Sequence, residues 1–320
     1  MDAKIGSTLK AGIIGFGSIG RRHADNMIRL GLKDIFLYRE QGRGNEFGFM
    51  EFYDFDEFMA QPIDFFLISN PTARHFGFLQ KIIERNRNVL IEKPVVCTER
   101  EVDTIERLLP TYTGVGMVAY NLRFHPCVRW TYALLRSGVI GRPMYARFSV
   151  GQYLPDWHPG TDYSQSYSAK KEQGGGCALD LIHEIDLAIH LLGEPILPAH
   201  SLLAKVSNLV IDTEDTADFL YRTDTNVAVS VHLDYLYRGY KREFEIVGEE
   251  GTILCDLFRS RLLVTGSSEA KTLCDERFEF QRNDMYLDLM KYYIECVTTG
   301  AMTKPSIREG LISVKLITTK

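Results

Sequence analysis

A chain of 320 residues is too long for one typical hydrophobic core and suits two domains. Its 45% apolar and 25% charged content is ordinary for a globular protein, and a net charge of -5 argues against nucleic acid or an anionic membrane surface as the main partner. The opening MDAKIGSTLK carries no signal-peptide pattern, no apolar run reaches the roughly 18 residues of a membrane span, and the six dispersed cysteines suggest no metal site or redox motif. Reduced thiols of a cytoplasmic protein are the expectation.

The first apolar strand, Leu9 to Ile14, runs into Gly15-Phe16-Gly17-Ser18-Ile19-Gly20 and then a helical stretch to about Leu30. Between a strand and a helix, these glycines supply a tight turn, close backbone approach to a pyrophosphate and close helix–strand packing. The helix N-terminus adds unpaired N–H groups and a positive dipole end. A second strand, Asp34 to Tyr38, ends in Arg39-Glu40, with Arg43 beyond. An acidic side chain there suits the ribose hydroxyls of NAD, an arginine the 2′-phosphate of NADP. Because Arg39 is nearest the strand end, the cofactor reads as NAD(P) with a slight lean to NADP.

Strands at Asp64 to Ser69, Asn88 to Ile91 and near Gly114 to Val118 alternate with helices at about Ala73 to Arg85 and Thr98 to Leu109. Continuous apolar strands between helices predict a parallel sheet covered on both faces, a Rossmann dinucleotide-binding domain over residues 1–120. Ligands of such sheets bind outside the carboxyl ends of the strands, where Asn70-Pro71, Glu92-Lys93 and Tyr120-Asn121 stand.

Residues 121–320 read as a C-terminal α/β domain. A helix from Cys127 to Ser137 precedes a strand from Pro143 to Tyr153. The irregular stretch to Gln173, with Tyr153, Trp157 and two lysines, suits either a cover over a sugar-like substrate or a surface loop or subunit contact. Three glycines then open a helix from Cys177 to Leu192. At about 100° per residue it gathers Leu181, Ile182, Ile185, Ala188, Ile189 and Leu192 on one side, with Asp180 and His183 neighbouring on the other. A carboxylate near a helix N-terminus can hold an imidazole in one tautomer, the layout of a general base and its orienting partner; an ordinary solvated polar face is the alternative. Strands at Ala199 to Val206, Thr216 to Tyr221, Ala228 to Asp234, Arg242 to Val247, Thr252 to Asp256 and Leu262 to Gly266 predict an antiparallel meander, closed by helices at Asn283 to Thr299 and Arg308 to Lys320. Apolar residues on both alternations, as in Tyr235-Leu236-Tyr237 and Ile253-Leu254, predict that the open sheet face pairs with a second copy in a homodimer or homotetramer.

Gly15 to Gly20 with His23, Asn70-Pro71 with His75, Glu92-Lys93-Pro94, Tyr120-Asn121 with Arg123-Phe124 and Pro126, and Gly174 to Asp186 together resemble the Gfo/Idh/MocA oxidoreductases. The resemblance implies a Rossmann domain, a second domain with an open, mostly antiparallel sheet, and hydride transfer between NAD(P) and a carbon-bound hydroxyl of a sugar or cyclitol. By position, Lys93 matches the family's catalytic lysine, His183 its acid/base histidine and Asp180 the accompanying aspartate. In many members that aspartate precedes the histidine by four positions where here it precedes it by three, and Asp186 lies three beyond His183. Cofactor contacts are expected from Gly15, Phe16, Gly17, Ser18, Ile19, Gly20, Arg39, Asn70, Pro71, His75, Glu92, Lys93 and Asn121. Substrate contacts are expected from Tyr120, Arg123, Tyr153, Trp157, Asp180 and His183. The tyrosine-rich segment resembles members acting in cell-surface sugar biosynthesis. A dinucleotide-sensing regulator and redox-assisted glycoside cleavage are the alternative functions.

Overall fold

Phe65, Phe66, Leu67 and Ile68 form a strand with no polar side chain, and all four are fully buried, as a strand covered on both faces must be. In this computed structural model the described residues are 8–40, 44–157, 159–266 and 272–319; Arg43 lies outside them. The first sheet is parallel, with strands β1 (Lys10–Ile14), β2 (Asp34–Tyr38), β3 (Met50–Phe52), β4 (Phe65–Ile68), β5 (Asn88–Ile91) and β6 (Gly116–Val118) in the order β3-β2-β1-β4-β5-β6. Between them run α1 (Ser18–Arg29), α2 (Phe55–Met59), α3 (His75–Glu84) and α4 (Glu99–Leu108). The short β3 and α2 had no signal in the sequence pattern. Their aromatic residues belong to one cluster, in which Phe58 sits 5.6 Å from Phe66 and 5.9 Å from Phe52.

The Cα packing divides the chain into one unit of residues 1–120 with 282–311, and another of residues 121–281 with 312–320. The sequence division runs the second domain from 121 to 320; in the packing, the stretch 282–311 groups with the Rossmann unit instead. It supplies the long helix Arg282–Thr299, whose Tyr293 is buried edge-on against Phe65 at 5.4 Å and donates to the Val115 carbonyl at 3.3 Å.

The second unit opens with α5 (Pro126–Ser137), then β7 (Pro143–Gln152). Next come α6 (Cys177–Asp180) and α7 (His183–Leu192), followed by strands β8 (Pro195–Ala204), β9 (Thr216–Thr223), β10 (Ala228–Asp234), β11 (Tyr240–Gly248), β12 (Gly251–Asp256), β13 (Arg261–Gly266) and β14 (Thr272–Arg277). Their order is β14-β13-β12-β11-β7-β10-β9-β8, antiparallel except where β7 and β10 run parallel. The sequence pattern did not show β14, whose side chains are almost all exposed, the apolar Leu273 included.

The single helix expected from Cys177 to Leu192 is broken at Leu181 and Ile182, where Leu181 turns to ψ 24. Both pieces pack on β10, but each has a partner of its own. Glu214 accepts from the Ala178 N–H at 3.1 Å and orients the first turn, whereas α7 packs on β7 and β10. The apolar arc is buried as expected, but so are Asp180, His183, Glu184 and Asp186, so this is no solvated polar face.

The open sheet face also departs from expectation. Along β7, Ala146, Phe148 and Val150 are buried while Arg147 and Ser149 point outward; along β10, Val229, Val231 and Leu233 are buried and Ser230 and His232 face out. Glu243 and Glu245 alternate with Phe244 and Ile246 in β11. The alternation is polar-out on the central strands, with Met144, Leu220 and Leu254 as exposed apolar exceptions. Tyr235-Leu236-Tyr237 misled because it follows β10 as a turn, where strand alternation does not apply. Phe148→Ala should cost about 3–5 kcal/mol and Ser149→Ala less than about 0.5 kcal/mol in urea denaturation, because only the first opens a cavity.

Candidate active site

In the Rossmann unit the chain turns at Gly15 with φ 89, and a Cβ there would lie 2.6 Å from the Asn70 backbone. The two loops therefore touch backbone to backbone, which only glycine permits. A Cβ at Gly17 would meet nothing within 4 Å, so open space lies above the start of α1. That helix has no side-chain cap and no acidic residue in its first turn, leaving the backbone N–H groups of Ser18, Ile19 and Gly20 for an anion. Phe16 anchors the loop, packed edge-on against Phe47 at 5.9 Å, while Arg21 donates to its carbonyl at 2.8 Å.

A cleft of about 290 Å³ follows, lined among others by Gly15, Phe16, Arg39, Glu40, Asn70 and Pro71. Asn70 Oδ1 is buried there with no hydrogen-bond partner, a demand that an incoming donor would satisfy. The open cradle, the free helix end and this orphaned oxygen fit a dinucleotide.

Three residues expected to touch the cofactor are engaged elsewhere. Arg39 is drawn into an ion pair with Glu51 at 3.1 Å and donates to the Gly44 carbonyl at 2.9 Å. Its neighbour Glu40 is half-exposed at the cleft, and its carboxyl is held below the usual range by the hydrogen bond from Arg74. His75 is fully buried, with Nδ1 2.8 Å from the Pro94 carbonyl and Nε2 2.9 Å from the Asn70 carbonyl. It lies between the Asn70 loop and the residue after Lys93, and burial pushes its pKa down. Glu92 faces inward, with Oε1 2.7 Å from His23 Nε2 and Oε2 accepting from the Lys93 N–H at 3.2 Å. Lys93 itself is half-buried, and Tyr120 is wholly buried at the end of the unit.

In the second unit the Asp180 carboxylate accepts three hydroxyls: Tyr167 at 2.5 Å, Ser168 at 2.6 Å and Tyr235 at 3.2 Å. Burial, with Asp180 next in effect, raises the Tyr235 phenol well above its ordinary pKa, so it stays a donor. His183 begins α7 directly after the break and is 8% exposed. Asp186 is taken by Arg123 in a buried two-pronged pair, 2.9 Å to Nε and 2.6 Å to Nη2. Arg123, expected as a substrate contact, therefore has its guanidinium committed to structure. Glu184 pairs with Arg242 at 2.8 Å, also buried. Asn121 is buried in the short 3₁₀ turn that Arg123 shares. Trp157 donates to the Gln152 carbonyl at 3.2 Å and stands edge-on to Tyr235 at 5.3 Å, while Arg238 lies 3.5 Å over the Tyr153 ring.

The sequence pattern did not place Tyr167, Ser168 or Tyr235 at the site, and it named Glu40 only to prefer Arg39. The first two stand just before the glycine run and could have been read as its partners; Tyr235, 55 residues from Asp180, left no local signal.

Residues 9–120 match the model of the oxidoreductase family with an NAD-binding Rossmann fold, and residues 128–254 match the GFO/IDH/MocA C-terminal domain. The chain is 24% identical to the myo-inositol 2-dehydrogenase of Thermotoga maritima, over 96% of this chain and 94% of that one. It is 23% identical to the scyllo-inositol 2-dehydrogenase (NAD(+)) of Bacillus subtilis, over 91% and 87% respectively. A levoglucosan dehydrogenase in complex with NADH and levoglucosan shares the fold, with a TM-score of 0.85 and 20% identity over 96% of this chain and 95% of that one. Across both units, from the glycine cradle to the open sheet, the chain belongs to the Gfo/Idh/MocA family of oxidoreductases.

Proposed function

We propose that this NAD-binding oxidoreductase oxidises a secondary hydroxyl of a cyclitol or a sugar, with Lys93, His183 and Asp180 as the residues that serve the chemistry. The observation that carries the reading is that each unit keeps its own half of the requirement. One has a phosphate cradle with room above Gly17; the other has an imidazole preceded by a carboxylate that three hydroxyls hold in place. The similar inositol and levoglucosan dehydrogenases favour a polyhydroxylated ring as substrate.

When bound, NAD supplies the hydride acceptor. His183 takes the proton from the substrate hydroxyl, and the Lys93 ammonium stabilises the developing negative charge on that oxygen. Asp180, fixed by Tyr167, Ser168 and Tyr235, orients the imidazole. Lys93 is in turn oriented by its backbone, since Glu92 accepts its N–H while gripping His23. The two alternative functions lack a comparable observation in their favour.

For the cofactor we propose NAD, reversing the slight lean to NADP that rested on Arg39. Its guanidinium is spent on Glu51, leaving Glu40 to accept the ribose hydroxyls. A cytoplasmic place suits six cysteines that are all free thiols, and no helix among the described residues is long and apolar enough to cross a membrane. Association into a homodimer or homotetramer through the open sheet face would join charged rows; a solution mass of two or four times 36.5 kDa by light scattering would support it.

Calorimetry should show Gly17→Val abolishing NAD binding in a folded protein, because the side chain fills the phosphate's place. Glu40→Ser should weaken NAD about tenfold and narrow the gap to NADP, as a charged hydrogen bond is lost and Arg74 released. Tighter NADP binding by the unmodified protein would overturn the assignment. Turnover should be sought with NAD and myo-inositol, scyllo-inositol, D-xylose and levoglucosan. Lys93→Ala and His183→Ala are each expected to lower kcat by about 10² or more with NAD affinity little changed; unaltered kcat in either removes that residue from the chemistry.

A further inference from the structure

Asp234 ends β10 on the open face of the sheet, and its carboxylate organises the turn that follows. Oδ1 accepts the backbone N–H groups of Leu236 and Tyr237, both at 2.7 Å, while Oδ2 lies 3.2 Å from His232 Nε2. The other ring nitrogen of His232 is 2.8 Å from Asp218 Oδ1 on β9. Across the sheet, a Cβ on Gly151 would come within 2.4 Å of Asp234 Oδ2, so the carboxylate fills the space that this glycine leaves. Tyr235 sits inside the turn. Its N–H is bound by the Asp215 carbonyl at 2.9 Å, its carbonyl accepts from Leu154 at 3.1 Å, and its phenol reaches Asp180.

We infer that His232 is a positioning residue: by gripping Asp218 and Asp234 it clamps the 234–237 turn on the outer face, and so fixes the Tyr235 phenol on Asp180 behind the sheet. The inference rests on the proposed role of Asp180. A phenol whose ring is wholly buried has few ways to shift except with its backbone; Asp215 and Leu154 hold Tyr235 itself, and the Asp234 carboxylate holds the two residues that follow it. Loss of the grip on that carboxylate would let the turn relax and lengthen a hydrogen bond already at 3.2 Å.

Both ring nitrogens of His232 face carboxylate oxygens, an arrangement that favours the doubly protonated ring. The hydrogen bond to Asp234, opposed by burial and aided by Asp218, pushes its pKa up to about 9 from the ordinary 6.5. On the strands beside it the charged groups of this face are Arg147 of β7 and Asp218 of β9; farther across lie Lys241, Glu243 and Glu245 of β11 and Asp256, Arg259, Arg261 and Arg277 beyond, with Lys241 paired to Glu243 at 2.8 Å and Arg259 to Asp256 at 2.9 Å. Because the folded pKa is raised, the clamp is complete below the ordinary value and is lost as pH climbs through about 9.

The test compares Asp180→Asn, Tyr235→Phe, His232→Leu and the Tyr235→Phe/His232→Leu double variant, using whichever of the four sugars and cyclitols above is turned over best. Tyr235→Phe should lower kcat about tenfold, the size expected for a lost hydrogen bond to a charged group, and His232→Leu several-fold, with NAD affinity unchanged in both. Since His232 acts through Tyr235, the double variant should be no slower than Tyr235→Phe alone. His232→Arg, which keeps a cation between the two carboxylates, should recover most of the loss. Multiplying effects in the double variant, or wild-type kcat in both singles beside an impaired Asp180→Asn, would overturn the clamp alone. Full activity in Asp180→Asn would overturn the role of Asp180 and the clamp with it.

A substrate-free arm uses the edge-on contact of Trp157 with Tyr235. In a Trp130→Phe background, Trp157 emission should change with a midpoint near pH 9 and lose that transition in His232→Leu, or in His232→Gln if the leucine variant does not fold. A transition that survives without His232, or none in its presence, contradicts the clamp.

Discussion

The buried pair between Arg123 and Asp186 is the constraint on which the second unit depends. Helix α7 carries His183, Glu184 and Asp186 within its first turn, and all three are buried. Two carboxylates taken from water in one helical turn would cost several kcal/mol each without partners. Arg123 reaches Asp186 from the 3₁₀ turn that begins at Asn121, and Arg242 reaches Glu184 from β11. Each guanidinium draws a distant segment of chain to the helix that bears the candidate base. The helix can therefore be buried on every side and still hold an imidazole in a fixed place. Neither arginine is interchangeable with lysine in such a role, since the two-pronged geometry at Asp186 needs a planar fork.

The Rossmann unit obeys an analogous rule at its nucleotide loop, with backbone in place of charge. Gly15 and Asn70 approach so closely that no side chain can intervene, and His75 lies behind, between the Asn70 loop and Pro94. Buried imidazoles thus brace this unit twice, His75 between two carbonyls and His23 holding Glu92.

Much of this was legible in the sequence because it depends on local pattern. The glycine loop, the continuous apolar strands and the meander have periods that can be read residue by residue. The polar groups around Asp180 were not legible, since Tyr167, Ser168 and Tyr235 meet only after the sheet is assembled. The ion pair of Arg39 was hidden for the same reason: a strand-end arginine looks available until Glu51, from a three-residue strand with no sequence signature, pairs with it. The break in the Gly174 helix escaped because hydrophobic spacing continues across Leu181 and Ile182 while the backbone does not. Alternation in the open sheet misled at Tyr235-Leu236-Tyr237, where a turn was taken for a strand, whereas Leu254 beside the buried Ile253 is exposed as its pattern predicted.

The return of residues 282–311 to the first unit bears on the order in which the protein can be made. When residue 120 leaves the ribosome, the parallel sheet has all six strands, but Phe65 lacks the Tyr293 ring, and Asn26, wholly buried in the finished unit, lacks Asn283. That helix is synthesised only after the entire second sheet. The nascent nucleotide domain must wait with an apolar flank exposed while more than 160 residues, 121–281, are translated between its two parts. At about 5–20 residues per second, the wait is on the order of 8–30 s. A chaperone that covers apolar surface would find its target there, on a domain whose sequence is nearly complete at its start and whose core closes only near the end.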